Sequence, residues 1–366
     1  APMKFRVLAP VVVALLVVPG CAKKADRTSD KVSQPSGDLN QSVDGDTTAD
    51  DMVNQCRKGE IVIGRPLRVV TTVAPITSLV GQLVAGTDVV VQGIIPETSN
   101  SHTYELTASD TARIAAADVL ISNGLSMENG FADAVRSAAK PGALVCELGT
   151  AALQKGDYLY DSTFTKDQGI PNPHAWLNPQ TLLRYLNSAR DAISTSAPSA
   201  SAKMDDNYVK LSFQILSLDS AMQTAVGTIP ARNRSIYLFH DSLAYFASHF
   251  KMEVGLILQP PTFGDPTPVE IADAIAAMKS EKAPAFFAQS EFPGDYSAGI
   301  ADSGGVKVAT LSDEDLPGSA GTAEHTIGRL MKDTFVTVVE TLGGDASAVS
   351  KVSADLGLKD SASYAK

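Results

Sequence analysis

The chain has 366 residues, 44% of them hydrophobic, and a formal charge of −11. That length exceeds one ordinary compact domain, so two lobes with tails are expected. The acidic balance and the lack of a basic stripe argue against a nucleic-acid partner and suit a domain outside the cytoplasm that attracts cations.

In chain order, Lys4 and Arg6 precede an apolar run over residues 7–18 that is too short to span a bilayer, so residues 1–20 read as an export signal. The run ends Val18-Pro19-Gly20-Cys21, which resembles a bacterial lipobox with Cys21 as the lipidated residue. Val18 and Pro19 stand where Leu and a small residue are usual, and an ordinary periplasmic secretion signal is the other reading. Residues 21–62 are rich in Ser, Asp, Thr, Gln and Lys. Such a segment buries too little apolar surface to offset its conformational entropy and reads as a flexible tether, with a reach on the order of 35 Å. Export permits a disulfide between Cys56 and Cys146, closing a long loop and contributing roughly 4 kcal/mol. A buried thiol at Cys146 with a free one at Cys56 is the alternative.

Residues 67–73 form a β-rich run, followed by a helical pattern through Ile76, Leu79, Val80, Leu83 and Val84 and a second strand over 89–95. Strand, helix and strand at this spacing make a βαβ unit, which implies a parallel sheet. The alternation continues with a helix over 107–117 capped by Thr107 or Ser109, a strand over 119–122, a helix over 127–138 and a strand over 144–147. A helix over 179–194 leads into a long one over 199–226, which would span about 40 Å and bridge two lobes. A second series follows, with strands over 235–239, 254–258, 284–288 and 306–309 and helices over 242–250, 268–281 and 324–341. The fold class is therefore α/β: two lobes, each a mostly parallel sheet flanked by helices, joined by one long backbone helix. The expected division is an N-terminal lobe over 63–196, a bridging helix over 197–229 and a C-terminal lobe over 230–366.

The chain has five histidines, and three of them stand at turn-like junctions: His102, His174 and His240. Imidazole at such places is commonly a metal ligand. Their contexts are Ser101-His102-Thr103-Tyr104-Glu105-Leu106-Thr107-Ala108-Ser109-Asp110, Asn172-Pro173-His174-Ala175-Trp176-Leu177-Asn178-Pro179 and His240-Asp241-Ser242-Leu243-Ala244-Tyr245-Phe246. With Asn123-Gly124 and Glu128 between the first two, these motifs resemble, in order over residues 67–340, those of the zinc/manganese solute-binding proteins of bacterial ABC importers, the cluster A-I metal-binding family.

The resemblance implies a two-lobed receptor, not an enzyme, that captures zinc(II) or manganese(II) and delivers it to an ABC membrane permease. It places the ligands on His102, His174 and His240, with Asp313 as the acid and Glu314 or Asp315 open in its place. The common Asp-Pro-His is here Asn100-Ser101-His102 and Asn172-Pro173-His174. The His-rich loop of many zinc-dedicated relatives is matched by residues 156–171, which contain no His, and this keeps manganese close behind zinc. The receptor is expected to be a monomer held at the membrane through Cys21.

Three neutral imidazoles and one carboxylate make a closed site for a divalent ion, whereas a catalytic zinc keeps a position open. Protons competing for three imidazoles would weaken binding below about pH 6. A secreted zinc hydrolase, a surface adhesin and a siderophore carrier are the other readings. His249 and His325 fall outside the motifs, Trp176 reads as core and Asp241 as a helix N-cap. Glu291 reads either as an acceptor for an imidazole N–H or as a solvated loop acid.

Overall fold

Strands that read as unbroken apolar runs, such as Val119-Leu120-Ile121, are those buried on both faces, and parallel sheets need that burial. The computed structural model describes residues 47–128, 130–292, 299–300 and 306–366 and contains two such sheets. The first holds β1 (Arg68–Thr71), β2 (Val90–Gly93), β3 (Val119–Ser122) and β4 (Leu144–Glu147) in the order β2-β1-β3-β4. The second holds β5 (Ser235–Leu238), β6 (Glu253–Ile257), β7 (Ala285–Gln289) and β8 (Lys307–Leu311) in the order β6-β5-β7-β8. Every pairing is parallel. In each sheet the chain leaves the first strand to one side and returns on the other. The switch points therefore lie between β1 and β3 and between β5 and β7, and crevices beyond the strands' C-terminal ends at such points are where open α/β sheets bind ligands.

The first lobe carries α1 (Ala49–Gln55), α2 (Ala74–Leu83), α3 (Ala108–Ala116), α4 (Ala132–Ala138), α5 (Leu148–Ala152) and α6 (Pro179–Ser196). Next comes α7 (Ser201–Thr228), followed in the second lobe by α8 (Ala244–His249), α9 (Pro268–Glu281), α10 (Ile327–Thr341) and α11 (Ser347–Ser350). Thr107 caps α3 through a reciprocal pair with Asp110, and Asn178 caps α6 ahead of Pro179. Among the described residues no helix is long and apolar enough to cross a membrane.

The 28 residues of α7 span about 42 Å. Met204, Leu211, Ile215, Leu218 and Met222 form its buried stripe. Phe213 and Leu216, though apolar, face solvent. Asn207 explains how the helix grips the first lobe: its amide donates to the carbonyls of Leu83 (2.9 Å) and Ala85 (2.8 Å), satisfying orphan acceptors at the end of α2.

Four further features depart from the expected layout. Residues 49–62 are not tether. Thr48 caps α1, Met52 and Cys56 are buried, and Cys56 is bonded to Cys146. One covalent bond and a few apolar contacts hold a segment whose average composition is polar. The export signal, Cys21 and residues 21–46 lie outside the described residues.

The helix expected over 127–138 begins only at Ala132, because Gly124, Leu125 and Ser126 take left-handed backbone conformations in a turn closed by the Glu128 carboxylate. The helix expected from residue 242 begins at Ala244, after a turn in which Ser242 N–H donates to the His240 carbonyl at 3.0 Å. Finally, the chain's end leaves the second lobe. Ser363 N–H donates to Val91 (2.9 Å) and its carbonyl accepts from Gly93 (2.8 Å), adding a short parallel bridge at the β2 edge of the first sheet.

The disulfide closes a separation of 90 residues. Urea denaturation of a Cys56→Ser/Cys146→Ser variant is therefore expected to show a loss of roughly 4 kcal/mol. A loss below about 1 kcal/mol would instead mean that α1 stays docked by packing and that the crosslink constrains little.

Candidate metal centre

Loops at the C-terminal ends of strands supply most of the candidate ligands: His102 follows β2, His240 follows β5 and Asp313 follows β8. His174 comes from the segment leading into α6. The structure brings the three imidazoles together. His174 Nε2 lies 3.1 Å from His102 Nε2 and 3.0 Å from His240 Nε2. A second cluster shares His174 and adds Asp313 and Glu314, with its ligand atoms within 4.8 Å of one another. Asp315 belongs to neither cluster.

The protons on two of the rings follow from their neighbours. His174 Nδ1 faces Asn172 Oδ1 at 3.0 Å. That oxygen is identified by the network, because the Asn172 amide nitrogen donates to Asp161 (3.1 Å) and to the Asp241 carbonyl (2.9 Å). His240 Nδ1 faces Gln259 Oε1, whose amide nitrogen is buried without a partner. With the Gln259 oxygen as acceptor, both Nδ1 atoms carry the proton, and the two Nε2 lone pairs face each other at 3.0 Å, where neither can donate. A cation accepting both pairs relieves this contact. Ligands about 2.0–2.1 Å from a tetrahedral zinc stand roughly 3.3 Å apart, close to the spacing seen here.

Burial holds the rings neutral. It pushes His174 down to about 3 and, together with the neighbouring His174, pushes His240 down to about 3. His102 lies well below the ordinary imidazole range for the same reason, reinforced by the other two rings. The acids move the opposite way. Burial, then Glu291 and Glu314, push Asp313 well above the carboxylate range. Burial and Glu291 push Glu314 up to about 8.

The acidic turn after β8 is held by a residue that sequence reasoning placed differently. Glu291, after β7, touches no imidazole. Its Oε1 accepts the backbone N–H groups of Asp313, Glu314 and Asp315, each at 2.9 Å, and the Ser312 hydroxyl. Gln289 does two jobs at once. Its carbonyl accepts from His240 N–H at 2.6 Å, while its amide donates to Ser242 (2.8 Å) and to Asp313 Oδ1 (3.2 Å). Asp313 Oδ2 is buried with no hydrogen-bond partner, an open ligand position beside the rings.

The Asn123-Gly124 motif acts on His174 from behind. Glu128 accepts both backbone N–H groups, and Asn123 then donates to the Pro173 carbonyl at 2.9 Å while accepting from Tyr185 at 2.7 Å. Trp176 is buried core, as expected, but its indole N–H also donates to the Asp313 carbonyl at 2.8 Å and its ring meets His174 edge-on. Phe263 stacks on His102 with centroids 4.6 Å apart, and Phe164 packs against the same ring at 5.4 Å. Phe263 takes a left-handed φ of 60°, uncommon for so large a side chain.

Asp241 is not an N-cap. It is buried and hydrogen-bonded to Asp161, and burial with that neighbour pushes it well above the carboxylate range. His249 pairs with Asp219 at 2.7 Å, and His325 with Glu97 at 3.0 Å, so neither joins the cluster. The roles of Gln259, Gln289 and Phe263 carried no signal in the sequence, since a lone Gln or Phe in a loop is common.

A family model described as "Zinc-uptake complex component A periplasmic" matches residues 69–341. The chain belongs to this family. Its members are extracytoplasmic solute-binding components of metal uptake complexes rather than enzymes. The zinc-binding protein TroA of Treponema pallidum is 23% identical over 284 residues, covering 76% of this chain and 89% of the relative. The iron-binding protein YfeA of Yersinia pestis is 25% identical over 228 residues, covering 62% and 70%. The manganese-binding lipoprotein MntA of Halalkalibacterium halodurans is 23% identical over 279 residues, covering 75% and 89%. Among solved structures, TroA has a TM-score of 0.68 over 76% of this chain and 99% of its own. The Mn²⁺ complex of FpvC from Pseudomonas aeruginosa has a TM-score of 0.63 at 24% identity, over 76% and 98%. The shared fold is the two-lobe α/β arrangement with its long helix.

Groups that orient a ligating ring typically account for about 10–100-fold in metal affinity. Gln259→Leu, which removes the acceptor at His240 Nδ1, is expected to weaken binding by that factor in a chelator competition. Unchanged affinity would show that Gln259 does not set the tautomer.

Proposed function

We propose that this chain captures a divalent transition metal, zinc or manganese, between its lobes and hands it to an ABC permease. His102, His174, His240 and Asp313 hold the ion in this reading, and a lipid on Cys21 tethers a monomer to the membrane. The observation that carries it is the convergence of the three imidazoles, with His174 Nε2 3.1 Å from His102 Nε2 and 3.0 Å from His240 Nε2, beside the unpartnered Asp313 Oδ2. That donor set suits a closed site for cargo, with no position reserved for a reactive water. Residues 156–171 fit the reading without histidine, because they contribute Phe164, which shields His102. The hydrolase, adhesin and siderophore readings have no feature among the described residues in their favour.

Titration calorimetry on metal-stripped protein should give one tight divalent site per chain. His174→Ala should weaken it by more than the roughly 10–100-fold expected of an orienting residue. A variant that binds as tightly as the wild type would overturn the proposal.

The pH dependence follows from the acids rather than the rings. In the empty protein Glu314 holds its proton below about pH 8, burial and the neighbouring acids also push Asp313 well above the carboxylate range, and the ion binds the deprotonated forms. Loading therefore releases protons, and apparent affinity should fall about tenfold per pH unit for each proton displaced as pH drops below about 8. The imidazoles, at about 3 for His174 and His240, compete only in much stronger acid. Calorimetry in buffers of different ionisation enthalpy measures the released protons, and constant affinity from pH 8 to 6 would contradict this account.

A further inference from the structure

We infer that Glu314 is a second acid ligand, adding a fifth donor that improves the site for manganese relative to zinc; this rests on the metal-capture reading above. Three observations point to it. Glu314 Oε1 lies 3.5 Å from Nε2 of His174, the residue shared by both clusters, and Glu314 is buried. Glu314 also joins His174 and Asp313 in one cluster of ligand atoms within 4.8 Å of one another, in which Gln289 donates to Asp313 Oδ1 and Asp313 Oδ2 has no partner. Glu314 is thus a second acid within reach of the same ion.

The third observation is what aims the Glu314 side chain. Ser101 donates its hydroxyl to Glu314 Oε1 at 3.0 Å across the cleft, so the first lobe positions an acid delivered by the second. Ser101 beside His102 and Glu314 beside Asp313 therefore work as a pair.

The chemistry of the donor set gives the consequence. Three neutral imidazoles and one carboxylate leave a divalent ion with net positive charge in a buried cleft, and a second carboxylate neutralises it. Zinc is content with four ligands, whereas manganese favours more ligands and more oxygen. Removing Glu314 should therefore cost manganese more than zinc.

The test is Glu314→Gln, which has nearly the same shape and can still accept from Ser101. Metal-free melting temperature should stay unchanged, which checks the fold. Zinc affinity should fall by less than about 3-fold and manganese affinity by at least about 30-fold, raising the zinc-to-manganese ratio. Cobalt(II) loaded as a spectroscopic probe should shift from the weak visible bands of five-coordination to the intense bands of four-coordination. Ser101→Ala, which keeps the acid but removes the group that aims it, should move the ratio in the same direction by a smaller factor. A ratio within about twofold of the wild type in both variants would overturn the assignment. A wild-type protein that binds neither metal would instead overturn the capture reading itself.

Discussion

Ring nitrogens held face to face in a buried cleft are the constraint around which this molecule is arranged. In water the rings would turn away or one would take up a proton. Here Asn172 and Gln259 face the Nδ1 atoms on the far side of the rings, and burial opposes charging them. A bound cation would relieve the contact. The cost of holding it is spread over a shell of amides and acids contributed by both lobes, with Gln289 and Glu291 organising the acidic turn and Asn123 bracing the loop of His174.

The same strand order recurs in both sheets, so the crevices where ligands collect occur twice and are used together. Each lobe alone would present an incomplete set of donors. The long helix α7 and the returning C-terminal segment tie the lobes together, through Asn207 to the end of α2 and Ser363 to the edge of β2. Phe263 reaches from the second lobe to cover a ring of the first.

Much of this was legible in the sequence, and the reasons differ by feature. Alternating strand and helix patterns identified the sheets because parallel strands must be apolar throughout, and Val119-Leu120-Ile121 can hardly be anything else. The three histidines stood out through rarity and through motifs in register. Local composition failed where tertiary bonds decide the outcome. Residues 49–56 look like tether until the partner of Cys56 is known, and Asp241 looks like a helix cap until Asp161 is found beside it. Gln259, which orients His240 across 19 residues of sequence, has no spacing rule that would reveal it. Among the acids at 313–315 the register stayed open because all are chemically able to ligate. The turn gathered by Glu291 presents two of them to the cleft and leaves the third aside.

The position of Ser363 bears on how the chain matures. The edge of the first sheet is finished by a segment that follows all the strands and helices of the second lobe in the chain. Cys56 and Cys146 stand far earlier in it, so their oxidation can pin the first lobe while its border strand is still missing. A chain without the segment around Ser363 would then be crosslinked and largely packed, yet open along one β edge, which is the kind of surface that invites pairing between copies.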